Sequence, residues 1–231
     1  MTEHLARKAL AELVGTAFLL MAVVGSGIMA TRLSTDTGLQ LLENSIATGA
    51  ALVALIIALQ PVSAAFNPVV TLVERALGLI ATKDALVLIA AQVVGAAGGV
   101  VLANLMFELP AVSISTTERG GAGQWIGEIV ATVGLVLIIF GSVRGDRSRT
   151  VAFAVGGYIA AAYWFTSSTS FANPAVTLAR TLSDTFAGIA PASVLMFVAM
   201  QVMGGVIAVL LVRALYPARQ RDLVAPDADA A

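Results

Sequence analysis

The sequence predicts an all-α membrane protein with six transmembrane helices and two re-entrant half-helices, arranged as an inverted repeat. Three observations carry that prediction. The chain holds too little charge for a soluble surface. Six apolar stretches approach the length that crosses a bilayer. Three short motifs recur in the same order in both halves.

Of 231 residues, 58% are hydrophobic and 12% charged. That is about half the charge of an ordinary soluble domain, so an aqueous surface cannot be covered. Disorder is excluded by the same figures, because it needs low hydrophobicity and high charge. The mean hydropathy is +0.93. A net charge of -1 lacks the basic footprint of a nucleic-acid binder. There is no cysteine, and the lone histidine, His4, precedes the first apolar stretch. Disulfides, thiolate metal sites and cysteine or histidine catalysis are thereby excluded. A Ser–Lys pair fails too, since Lys8 and Lys83 lie outside the spans. No enzyme activity, cofactor or metal is expected.

A helix needs about 20 apolar residues to cross the bilayer core. The first span, residues 9–30, is too long for a signal-peptide core and is followed by five more. Residues 44–60 form the second span, and residues 66–72 are apolar but far too short to cross. Residues 84–107 and 124–143 form the third and fourth spans. Residues 150–165 form a shorter fifth. Residues 171–182 are again apolar and too short, and residues 192–215 complete the set. The two short pieces contain Asn67-Pro68 and Asn173-Pro174 and read as re-entrant elements. The membrane domain is thus residues 1–216, with repeats at about 7–107 and 124–216, and residues 217–231 read as a disordered tail.

Six spans put both termini on one side. That side would hold Arg7, Lys8, Arg75, Lys83, Arg144, Arg147, Arg149, Arg213, Arg219 and Arg221, against Arg32, Arg119 and Arg180 on the other. The bias predicts cytoplasmic termini. The short loops suggest a bacterial inner membrane. The Arg144, Arg147 and Arg149 group is read as a topology signal.

The repeat is visible residue by residue. Glu12-Leu-Val-Gly-Thr16 matches Glu128-Ile-Val-Ala-Thr132, and the same offset carries Gly25-Ser26 onto Gly141-Ser142. Asn67-Pro-Val-Val-Thr-Leu72 matches Asn173-Pro-Ala-Val-Thr-Leu178, and Gln92-Val-Val-Gly95 matches Gln201-Val-Met-Gly204. Each half has three spans, so the second is inserted upside down, with a site at the midplane between halves. Asn caps helices well and Pro suits the first helical position. Each Asn-Pro should therefore start a half-helix whose partly positive end faces the centre. Two such ends disfavour cations, while the Asn amides offer donors to a passing oxygen. The arrangement suits a neutral hydroxylated solute and opposes ions and protons.

These residues are where a family resemblance enters. The segments Val62-Ser-Ala-Ala-Phe-Asn-Pro-Val-Val-Thr71 and Ser170-Phe-Ala-Asn-Pro-Ala-Val-Thr177 resemble the two Asn-Pro-Ala boxes of the aquaporin, or major intrinsic protein, family. The Ala-Glu-Leu-Val-Gly-Thr stretch of the first span is similar to that family's opening motif. The resemblance runs from about residue 7 to 216. It implies an aquaporin-like fold, a passive channel for small neutral solutes, and a homotetramer in the bilayer. It also implies that Asn67, Pro68, Val69, Asn173, Pro174 and Ala175 contact the solute.

Two departures from the family pattern stand out. The first box has Val69 in place of Ala, and the Ser-Gly-x-His that usually precedes it is shortened to Ser63-Ala64-Ala65-Phe66. Val69 either trims the pore or packs against the second box. Most of the family also carries an Arg after the second box, in a narrow selectivity filter. Val176 stands there instead. Distance from the boxes assigns the other filter positions to Thr48, Ala161 and Ser170, a small and uncharged set with two hydroxyls. Such a filter should be wide, should pass polyols and metalloid hydroxides, and should exclude cations less well. Arg180, four residues after Val176, reads as a solvated mouth residue, with leaning back towards the filter as the alternative. The second box looks like that of the bacterial aquaglyceroporin branch linked to arsenite transport. Glycerol, water and arsenous acid are the expected solutes.

Other residues are read conservatively. Glu12 and Glu128 are intramembrane carboxylates without a relay partner, and are expected to support the loops before the boxes, as the resemblance implies. Gln92 and Gln201 serve as polar glue. Gly15, Gly49, Gly95, Gly98, Gly134, Gly156 and Gly204 read as close helix crossings. Phe107, Trp125, Tyr158, Tyr163, Trp164 and Tyr216 read as interfacial anchors, with Trp164 at the outer vestibule as the alternative. The competing function, an ion channel or proton-coupled carrier on a similar scaffold, lacks a continuous chain of ionisable residues within the spans.

Overall fold

The computed structural model describes residues 2–216. The sequence reading of residues 217–231 lies outside the described residues. Eight α-helices follow in order: α1 (Glu3–Leu33), α2 (Thr37–Leu59), α3 (Pro68–Ala76), α4 (Thr82–Met106), α5 (Ala122–Arg144), α6 (Val151–Phe165), α7 (Pro174–Ala179) and α8 (Pro191–Leu215). A 3₁₀ turn, Ser148–Thr150, leads into α6, and another, Arg180–Leu182, continues α7.

Five helices, α1, α2, α4, α5 and α8, are long and apolar enough to cross a membrane. The helix α6 is the short one, with 15 residues, or about 22 Å at 1.5 Å per residue. Local chemistry sets the starts. The side chain of Thr2 accepts from Leu5 N ahead of α1, and that of Asp36 accepts from Leu39 N ahead of α2. These caps explain why α1 and α2 begin six and seven residues before the apolar stretches at 9 and 44: a capped polar turn extends each helix beyond its apolar part.

The packing follows the repeat. If α1, α2, α3 and α4 are exchanged for α5, α6, α7 and α8, every major helix contact maps onto another. The α1–α4 pair becomes α5–α8, α1–α2 becomes α5–α6, α3–α4 becomes α7–α8, and α3–α8 becomes α7–α4. The α2–α6 and α3–α7 contacts map onto themselves and sit at the pseudo-twofold.

Small residues permit the closest approaches. A Cβ on Gly95 would lie 2.2 Å from Leu13 O, and one on Gly99 2.2 Å from Ala17 O, so backbone meets backbone where α4 crosses α1. At the pseudo-twofold Gly49 and Gly156 face each other's carbonyls. Three glycines differ from the sequence reading. Gly98 has open space beside it, because Gly99 holds the crossing face. Gly15 and Gly134 give room to the rings of Phe66 and Tyr158 instead of to a helix backbone. The outer faces carry Leu10, Phe18, Ile46, Leu86, Phe153, Leu195 and Leu210, all exposed. Apolar cover on this scale is a surface for lipid.

Candidate functional site

Asn67 and Asn173 each start a half-helix as the sequence chemistry requires. Asn67 Oδ1 accepts from Val69 N at 2.9 Å, and Asn173 Oδ1 accepts from Ala175 N at 3.0 Å. Each amide nitrogen reaches across the pseudo-twofold. Asn67 Nδ2 donates to Ala172 O at 2.7 Å, and Asn173 Nδ2 donates to Phe66 O at 2.7 Å. Both acceptors belong to residues with φ of +48°, in the left-handed region that L-residues rarely occupy. The turn thus aims each carbonyl at the opposite box. An amide has two N–H groups, so one from each Asn remains for a solute.

Two buried carboxylates hold these loops. Glu12 Oε1 accepts from Ser63 Oγ and Ala65 N, and Oε2 accepts from Phe66 N and Gln92 Nε2. Glu128 accepts from Phe171 N, Ala172 N and Gln201 Nε2. The glutamines also donate to Thr71 Oγ1 and Thr177 Oγ1, inside the half-helices. A carboxylate in this setting requires several donors to offset its lost hydration. The threonines complete a Glu–Gln–Thr bridge in each half. Their place in both boxes was the available sequence signal.

One cavity of about 330 Å³ runs between the halves, with Lys8, Gln60, Ile80 and Glu74 at one end and Thr48, Tyr163, Ser170, Val176 and Arg180 at the other. Asn67 and Asn173 line it, as do apolar side chains including Leu19, Val23, Leu52, Leu135 and Ile159. The helix α6 contributes the stripe Val151, Val155, Ile159 and Tyr163 at four-residue spacing.

Several site expectations need correction. Pro68, Val69, Pro174 and Ala175 are buried but do not line the cavity. The lumen face of each half-helix is set by the Asn and by positions three and seven further on: Asn67, Val70 and Glu74, then Asn173, Val176 and Arg180. Val69 packs towards Gly205 of α8, where an added Cβ would meet it at 2.6 Å. It therefore does not trim the pore. Thr48, Ser170 and Val176 line the cavity, whereas Ala161 is exposed and points elsewhere. It sits two residues from both Ile159 and Tyr163, about 200° round the helix from each. Tyr163 holds the lumen position and donates to Thr48 Oγ1 at 3.2 Å. It is buried and is not an interfacial anchor. Trp164 is half-exposed, donates to Ser45 Oγ and does not line the cavity.

The uncharged filter expected from the sequence is also revised. Arg180 is 3% exposed, which removes it from the solvated mouth. Its guanidinium lies 3.5 Å from the centroid of the Phe171 ring, and Nε donates to Ala187 O. Arg119, from the segment between α4 and α5, lies 5.1 Å over the same ring and donates to Gly188 O and Phe186 O. Burial pushes the Arg119 pKa below its ordinary value. Ser170 Oγ is buried with no hydrogen-bond partner among the described residues. Its oxygen has almost no accessible surface, so Ser170 meets the lumen through the rest of the residue and not through its hydroxyl.

Fold and site together define a membrane channel built on paired half-helices. The profile of the family described as Major intrinsic protein matches residues 1–150 and 146–229. The chain is 49% identical over 217 residues to Aquaglyceroporin AqpS of Rhizobium meliloti (strain 1021), covering 93% of each chain. The solved aquaglyceroporin from Plasmodium falciparum superposes with a TM-score of 0.68 at 18% identity, covering 92% of this chain and 95% of that one. The chain belongs to the major intrinsic protein family. It is a passive, multi-pass membrane channel for small neutral solutes, not an enzyme.

Proposed function

We propose that the channel carries glycerol-like polyols, metalloid hydroxides such as arsenous acid, and water. We place it in a bacterial inner membrane as a homotetramer with cytoplasmic termini. One observation carries the solute range: Val176 occupies the lumen position three residues after Asn173, where a long cation would narrow the passage. The wall there combines the apolar Val176 with the polar pair Thr48 and Tyr163, which are hydrogen-bonded to each other. A triol presents both a carbon edge and a hydroxyl edge, and this wall matches both. Arsenous acid is a neutral trihydroxide of similar shape. The 49% identity to an aquaglyceroporin supports the polyol part.

The test is stopped-flow uptake of water, glycerol and arsenous acid, side by side, in proteoliposomes. All three should enter faster than in empty vesicles, without current. Conductance with no solute flux would overturn the reading in favour of an ion pathway.

A further inference from the structure

We propose that Arg180, seated on Phe171, is the channel's barrier to protons and cations, replacing a charge absent at Val176 with one placed a helical turn further out. This rests on the channel reading above. Three observations point to it.

The first is register. Arg180 stands seven residues after Asn173, as Glu74 stands seven after Asn67, and both line the cavity. The repeat therefore makes this position lumen-facing in both halves, although α7 itself ends at Ala179. The second is fixation. The ring of Phe171 and the carbonyl of Ala187 hold the guanidinium at the cavity wall. Phe171 is itself anchored through its backbone N–H to Glu128. The third is charge balance. Among the described residues no carboxylate forms an ion pair with Arg180 or Arg119. Glu128 attracts both guanidiniums electrostatically, and one carboxylate against two guanidiniums leaves this mouth net positive. A fixed positive charge in a confined, poorly hydrated passage repels cations strongly, while a neutral solute pays no such penalty. Arg119 acts as a positioning residue: its bonds to Gly188 O and Phe186 O fasten the chain on either side of Ala187, the carbonyl that Arg180 uses.

The experiment compares wild type, R180Q, R180K and R180C in proteoliposomes. Two rates are read on each preparation: glycerol uptake, and proton entry driven by a potassium diffusion potential and reported by a trapped pH dye. The proposal concerns their ratio. In R180Q the proton-to-glycerol ratio is expected to rise by about tenfold or more, whereas R180K, which keeps the charge, stays within about threefold of wild type. The chain has no cysteine, so R180C offers a single thiol. A methanethiosulfonate carrying an ammonium group should restore the barrier there, and a neutral methyl reagent should not. An unchanged ratio in R180Q, or equal rescue by both reagents, overturns the proposal and leaves the channel reading standing. Wild-type vesicles with no glycerol uptake above empty vesicles would overturn the channel reading itself.

Discussion

At the scale of single residues, Val176 sets the apolar share of the wall beside the second box. It lies one turn inside Arg180 and faces the same lumen as Ser170 and Thr48. Placing Arg there would put a second cation into the passage and convert its carbon edge to a polar one. Val176→Arg is expected to lower glycerol and arsenous acid flux by about tenfold or more, the size of one mismatched group in a tight site. Water, being smaller, should lose much less. Parallel stopped-flow measurements on the three solutes check this, and equal fluxes in wild type and variant would remove Val176 from the constriction. How much of this site could be read beforehand depended on the kind of residue. Asn67, Asn173, Ser170 and Val176 were legible because they lie in or beside the boxes. Thr48 was reached, like Ala161, only by counting from them, and the count along α2 falls on the lumen face. Tyr163 was not legible, because counting along α6 without its helical phase selected Ala161 instead. Arg180 was misjudged for a related reason. A charged residue near a span end reads as solvated until a ring such as Phe171 and a buried carbonyl are seen to hold it.

At the scale of elements, helix pairs here are held at distances that only glycine permits. The crossing of α1 and α4 places Leu13 O and Ala17 O where Cβ atoms of residues 95 and 99 would be. Gly95→Ala must therefore separate two backbones, with an expected loss of about 1–3 kcal/mol. Gly98→Ala adds its methyl to open space, and trading Gly for Ala within a helix is mildly stabilising. Thermal unfolding in detergent should show a clear fall for the first and none for the second. Similar falls for both would mean that helix propensity, not the crossing, governs these positions. The sequence showed that α4 is rich in glycine but not which glycine faces α1, since an all-round apolar helix gives no buried stripe to read. Spans were located well at their apolar parts and poorly at their ends. Thr2 and Asp36 extend α1 and α2 through side-chain caps that hydropathy does not register.

At the scale of the whole molecule, the inverted repeat makes the two mouths equivalent in backbone and different in charge. Position seven after the box Asn is Glu74 in one half and Arg180 in the other, and Lys8 joins Glu74 at its end of the cavity. The loops run the other way. Of the 11 Lys and Arg residues among the described residues, eight belong to the side of the termini, which is the side of Glu74. Orientation is set by loop charge during insertion, whereas lumen charge acts on what passes, so the two patterns need not agree. The expected topology follows from the loop bias alone. Because the chain has no cysteine, single-cysteine variants in intact bacteria can report it with an impermeant maleimide. T117C, in the exposed segment between α4 and α5, should label from outside. R147C, between α5 and α6, should label only after the membrane is permeabilised. The reverse pattern would place Arg180 at the cytoplasmic mouth. The same barrier would then stand at the inner end of the path, and the loop-charge argument for orientation would be lost.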